Sequence, residues 1–146
     1  MHPFPHRYRV SSTASSSGTV ELRSAGLPSI ASAPPIEFDG PGDAWSPETL
    51  LVAAVADCFV LSFRAVAAAS RLAWTTVECD VDGVLDRVEK ATQFIELHIH
   101  ARLYTPVEVA AERAERVLQK AEQACLISNS LKATVHLTTT ITSAAS

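Results

Sequence analysis

The sequence predicts an α+β fold, and three observations predict it. A nearly unbroken apolar stretch after residue 46 opens with a helix-start signature. Two later segments, 75–88 and 93–105, alternate apolar and polar residues with the period of a strand. A charged amphipathic segment then precedes a β-branched run at 133–143. The resulting order, β-β-loop-α-β-β-α-β, lacks the strict strand–helix alternation of a doubly wound sheet. With 146 residues the chain is expected to be one domain, an N-terminal hairpin and arm over 1–45 and the remainder over 46–146.

The elements follow in order. RYRV (7–10) and TVEL (19–22) flank a Ser/Gly-rich segment and read as a loose hairpin. From Ser24 to Asp43 the chain is rich in Pro, Gly, Ala and Ser, a long loop in which IEF (36–38) suggests a short strand. Ser46 suits a helix N-cap, Pro47 the first helical position, and Glu48 the positive end of the helix dipole. The helix that follows is apolar almost all round, so it is expected to be buried on most sides, in a subunit interface as well as a core. Val77, Cys79 and Val81 mark one face of the next strand, and Ile95, Leu97 and Ile99 one face of its antiparallel neighbour. Thr105-Pro106-Val107-Glu108 reads as a capping box for a second helix ending near Cys125, with Glu112 and Arg116 paired on a solvated face. ISNSLK (127–132) is a polar break before the last strand.

Composition narrows the function classes. The chain is 47% apolar and 19% charged, which suits a packed core and not a disordered segment. A net charge of −4 and the lack of a basic block argue against nucleic acid as a partner. No apolar run of about 18 residues goes uninterrupted, so no membrane span is expected. The start, MHPFPHRYRV, lacks the apolar core of a secretory signal, and the expected location is the cytoplasm. Three cysteines, an odd number, fit a disulfide-stapled secreted fold poorly.

Those cysteines are the main candidates for chemistry. Cys58 lies within the first helix and Cys125 at the end of the second, without the C-x-x-C spacing of a zinc or thioredoxin-like motif. Two such thiols could meet in the fold and act as an attacking and a resolving sulfur. Alternatively, Cys58 is a small core hydrophobe. Cys79, on the Val77/Val81 face, reads as a packed, inert thiol. Glu48 could simply complement the helix dipole. His98 and His100 project to one strand face, but a third metal ligand is not evident, so no metal and no cofactor are expected.

The segment WSPETLLVAAVADCF, followed two strands and a helix later by ACLISNSLKATVHL, resembles the OsmC/Ohr family of thiol-dependent peroxidases. The matching residues are Ser46, Pro47, Glu48, Leu50, Cys58 and Phe59, then Cys125, Ser128 and Val135, with Gly40-Pro41-Gly42 ahead of the helix. The resemblance implies an intertwined homodimer, two long central helices packed between antiparallel sheets, with an active site at each subunit boundary. It implies that Cys58 is the peroxidatic thiol attacking an organic hydroperoxide, and Cys125 the resolving thiol. Their intramolecular disulfide would be reduced by an external dithiol, in oxidative-stress defence. Glu48 would hold an arginine beside the thiol. Arg23 is nominated, with Arg7 and Arg9 as fallbacks. An apolar pocket around Cys58 would take the peroxide's alkyl tail. The chain departs from the organic-hydroperoxide-resistance branch after Cys125, with Leu126-Ile127 where that branch has Pro-Tyr, and Lys132-Ala133 where it has Gly-Asn. Two rivals stand beside the enzyme: a non-enzymatic OsmC-like protein holding a small hydrophobic ligand, and a cysteine hydrolase, which would need a histidine brought to Cys58 by the fold.

Overall fold

The computed structural model describes residues 1–144, a mixed α+β fold with three α-helices and two three-stranded sheets. Contacts divide the chain into two compact units, Met1–Leu51 and Val52–Ser146.

The first unit holds an antiparallel meander of β1 (Ser11–Thr13), β2 (Val20–Arg23) and β3 (Ile30–Ser32). RYRV is therefore not the first strand. Gly18, at φ 92°, turns the chain just before β2, and the register pairs Ser11 with Arg23 and Thr13 with Glu21. The partners of β2 thus lie nearer the turn than composition suggests. IEF forms a 3-10 turn in place of a strand: Phe38 N–H donates to Pro35 O and Asp39 N–H to Ile36 O, both at 2.9 Å. Gly40 closes this loop, because a Cβ there would lie 1.6 Å from the Pro34 carbonyl oxygen. Helix α1 (Pro47–Ala69) starts as its signature predicts. Ser46 Oγ accepts from Thr49 N–H at 3.1 Å, and Ser46 N–H donates to Thr49 Oγ1 at 2.8 Å, a reciprocal cap with Thr49 in the role glutamate usually takes.

In the second unit β4 (Thr76–Val88) and β5 (Ala91–Pro106) form the long antiparallel pair, and β6 (Thr134–Ala144) lies against β5 in parallel. This sheet is mixed, which corrects the expectation of purely antiparallel sheets. A parallel neighbour requires a crossover, supplied by α2 (Ala111–Ala124) and the one-turn α3 (Leu126–Asn129), which overlaps the start of the segment read as a polar break. The capping box at 105–108 does not form. β5 continues to Pro106, paired with β6 at Thr105–Ser143, so Thr105 is buried in the ladder and cannot cap. α2 begins at Ala111 without a side-chain cap.

The core of this unit collects Leu97, Ile99, Ala101 and Leu103 from one face of β5, with Val55, Phe59, Phe63 and Ala67 from α1 and Ala114, Val117, Leu118 and Ala121 from α2. Those spacings, i+4 along α1 and i+3/i+4 along α2, place each set on one helix face. The guanidinium of Arg113, on α2, donates to the carbonyls of Ser70 and Arg71, where α1 ends. A cation there satisfies open carbonyls and complements the negative end of the dipole. The expected burial of α1 on most sides is not met within one chain. The single stripe Val55–Phe59–Phe63–Ala67 is buried, and Leu61 is 51% exposed. By length and mean hydropathy, 2.0, α1 could cross a membrane. Asp57 and Arg64 interrupt it, and its buried stripe packs as the core helix of this unit.

Candidate functional site

The structure gathers the three cysteines of the second unit around one region of the core, all as free thiols. Cys58 sits mid-helix in α1, half-buried, next to the Val55–Phe59 stripe. One turn on, Ser62 Oγ lies 3.9 Å from its sulfur, a hydroxyl that can donate to a thiolate. Asp57 is exposed, and consecutive helix residues point apart, so its carboxylate is turned away from the thiol beside it in sequence.

Cys125 is held at the junction of α2 and α3. Its extended backbone (φ −68°, ψ 100°) ends one helix and caps the next, where its carbonyl accepts from Asn129 N–H at 3.0 Å and from Ser128 Oγ at 3.1 Å. The side chain is fully buried, 4.0 Å from the Val55 carbonyl oxygen. Burial pushes its thiol pKa up, hydrogen bonds from Ser128 oppose that rise, and the nearby Cys58 thiol adds to it. The two candidate thiols from distant parts of the sequence are therefore neighbours.

Cys79 packs against the core as its strand position suggests, close enough to Cys125 to interact with it. Its pKa is pushed up to about 11, first by burial, then by Asp80 and Cys125, with Arg102 opposing. In the unfolded chain the same thiol ionises near ~8.5, so the unfolded state releases its proton first as pH rises. Stability is therefore fully present below that value and falls as pH climbs towards about 11. Denaturant midpoints measured across this range are expected to decline, and less steeply in Cys79→Ala, where Cys125 and Tyr104, both also raised, keep the same sign of dependence. An equal slope in that variant contradicts the assignment.

The other two nominated residues lie in the first unit. Arg23, at the end of β2, pairs its Nε with Glu21 Oε1 at 2.7 Å, and both side chains are largely exposed. The pairing lowers the Glu21 pKa and raises that of Arg23. Such an exposed pair is worth little in stability and can exchange partners. Glu48 is different. Its Oε1 is buried and has no hydrogen-bond partner among the described residues. It borders a cleft of about 300 Å³ lined by Val20, Ala33, Pro34, Phe38 and Pro47. A buried carboxylate oxygen without a donor is costly. Arg23 and Glu48 thus stand as separate groups. Sequence reading passed over Ser62, although its i+4 spacing from Cys58 was visible.

A family model described as OsmC-like protein matches residues 40–140, a span that opens at the Gly40 loop closure and contains Glu48 and both thiols. The chain belongs to the OsmC-like family. Among curated proteins, this OsmC-like chain is 28% identical over 107 residues to the uncharacterised protein YmaD of Bacillus subtilis, covering 70% of this chain and 71% of that one. An OsmC-like protein of unknown function from Vibrio cholerae superposes with a TM-score of 0.85 at 18% identity, covering 93% of this chain and all of the other. The organic hydroperoxide resistance protein OsmC of Legionella pneumophila gives 0.76 at 25% identity, covering 96% and 99%. An organic hydroperoxide resistance protein of Elizabethkingia anophelis gives 0.78 at 19%, covering 98% and 100%.

Proposed function

We propose that this OsmC-like protein is a thiol peroxidase that reduces organic hydroperoxides, with Cys58 attacking and Cys125 resolving. The observation that supports the reading is the proximity of the two thiols in the core, Cys58 one turn of α1 beyond Val55 and Cys125 with its sulfur 4.0 Å from the Val55 carbonyl oxygen. The Cys58 thiolate displaces alkoxide from the O–O bond, giving Cys58 sulfenic acid and, after protonation, the alcohol. The Cys125 sulfur then attacks that sulfenic sulfur, forming the disulfide and releasing water. An external dithiol reduces the disulfide by exchange and leaves as its own disulfide. Burial supports this division of roles. It holds Cys125 protonated and away from the peroxide, while half-buried Cys58 is reachable. Arg23 is the arginine nominated to favour the thiolate and Glu48 the carboxylate nominated to hold it, roles that require Arg23 to exchange Glu21 for Glu48.

The partner is a second copy of the chain. The outward side of α1 is apolar, and covering it in a homodimer removes that surface from water. Reduced thiols as working groups fit the cytoplasm, and neither nucleic acid nor membrane is needed as a partner.

The test is direct. Reduced protein treated with one equivalent of an alkyl hydroperoxide is expected to yield a Cys58–Cys125 disulfide by peptide mass spectrometry, with release of the alcohol. If both thiols stay free, or Cys79 alone oxidises, the peroxidase reading fails and the ligand-binding alternative takes its place. The cleft beside Glu48 favours that alternative as a second reading, and direct binding of a hydrophobic ligand without thiol oxidation is its signature.

A further inference from the structure

We propose that the outer face of the β4–β5–β6 sheet carries a binding site for a divalent transition metal of the zinc class, formed by Glu96, His98 and His136. The proposal does not rest on the thiol chemistry. The core side of this sheet is occupied by Leu97, Ile99 and Leu103, and the three residues lie on the opposite side. Glu96 and His98 are two apart on β5 and so share that face. The parallel register sets His136 of β6 directly beside His98, on neighbouring strands about 4.8 Å apart.

The side chains follow the register. The His98 and His136 rings stack with centroids 4.7 Å apart and planes 13° from parallel. His98 Nε2 lies 3.2 Å from Glu96 Oε2, and His136 Nε2 3.9 Å from Glu96 Oε1. One ligand atom from each residue falls within 4.8 Å of the other two. Ligands about 2.0–2.2 Å from a tetrahedral ion stand roughly 3.3 Å from one another, so small side-chain rotations close the set. The Glu96–His98 separation already has that value. Two imidazoles and one carboxylate suit zinc and its first-row neighbours with a fourth position open to water, and suit magnesium or calcium poorly. Side-chain exposures of 37–48% leave the site reachable from solvent.

The sequence-derived pair, His98 with His100, is not the pair the fold uses. His100 points its Nε2 at Asp82 Oδ2, 3.6 Å away, while Arg102 Nη1 pairs with Asp80 Oδ2 at 2.8 Å. Those neighbours engage one another and leave Glu96 shared between the two other imidazoles.

The experiment titrates reduced, chelator-treated full-length protein with Co(II) and, separately, with Zn(II) against a chromophoric competitor. One equivalent is expected to bind, giving cobalt ligand-field bands without a thiolate charge-transfer band. His98→Ala and His136→Ala should each weaken binding at least on the order of tenfold, while His100→Ala leaves it unchanged. Both readouts are compatible with intact thiols, because sulfur ligation has its own absorption. A thiolate band, binding indifferent to His98 and His136, or no binding of either ion in protein whose circular dichroism is native overturns the site.

Discussion

Cys58→Ser is expected to abolish consumption of alkyl hydroperoxides, with a loss on the order of 10³-fold or more. A serine hydroxyl fits the same space but stays protonated at neutral pH, so the attacking sulfur anion is lost without disturbing the helix. Cys125→Ser should behave differently. Cys58 still attacks, so one equivalent of peroxide is consumed in a burst. Without a resolving sulfur, the sulfenic acid then accumulates and can be trapped by a dimedone-type reagent. The split between no burst and a burst without turnover separates attack from resolution. Steady turnover in Cys58→Ser, or no burst in Cys125→Ser, sinks the assignment of roles. Cys79→Ser should turn over like the unsubstituted protein, because its raised pKa keeps it a neutral thiol at working pH.

Phe63→Ala is expected to cost about 3–5 kcal/mol of folding stability. Phe63 is fully buried at the centre of the α1 stripe and meets Trp74 edge-on, with centroids 5.2 Å apart and planes 71° apart. Truncation removes the transferred apolar surface, the edge-to-face contact and the support of the neighbouring ring, and it leaves a cavity that close-packed surroundings fill only in part. Total stabilities of domains run to about 5–15 kcal/mol, so the variant should unfold at markedly lower guanidinium concentration. Circular dichroism at one fixed protein concentration checks this, since a dimer's stability depends on concentration. By contrast, Leu61→Ala, at an exposed position on the same helix, should leave a single chain's core nearly intact. A loss below about 1 kcal/mol for Phe63→Ala would contradict the packing described.

How far the sequence could be read follows from the range of the interactions involved. Ser46, Pro47 and Glu48 marked the start of α1 because capping is settled within one turn of chain. The alternation of Val77, Cys79 and Val81 with polar residues, and of Leu97 and Ile99 with His98 and His100, marked β4 and β5 because a half-buried strand imposes its period on itself. The early strands were legible only in outline, since three- and four-residue pieces carry too little pattern to set a register. The capping box at Thr105 failed because a local preference competed with a β-ladder and lost.

By itself, then, the sequence determined the α+β class, the long apolar helix with its cap, the paired strands and, through the motifs around Cys58 and Cys125, the family. Only the tertiary structure decided that β6 runs parallel to β5, that Cys125 is buried in the same core region as Cys58, that Cys79 joins their neighbourhood and that His136, not His100, stands beside His98. Each of these is a contact between residues far apart in the chain. Such contacts are chosen by how whole faces pack together, and no short stretch of residues records that choice.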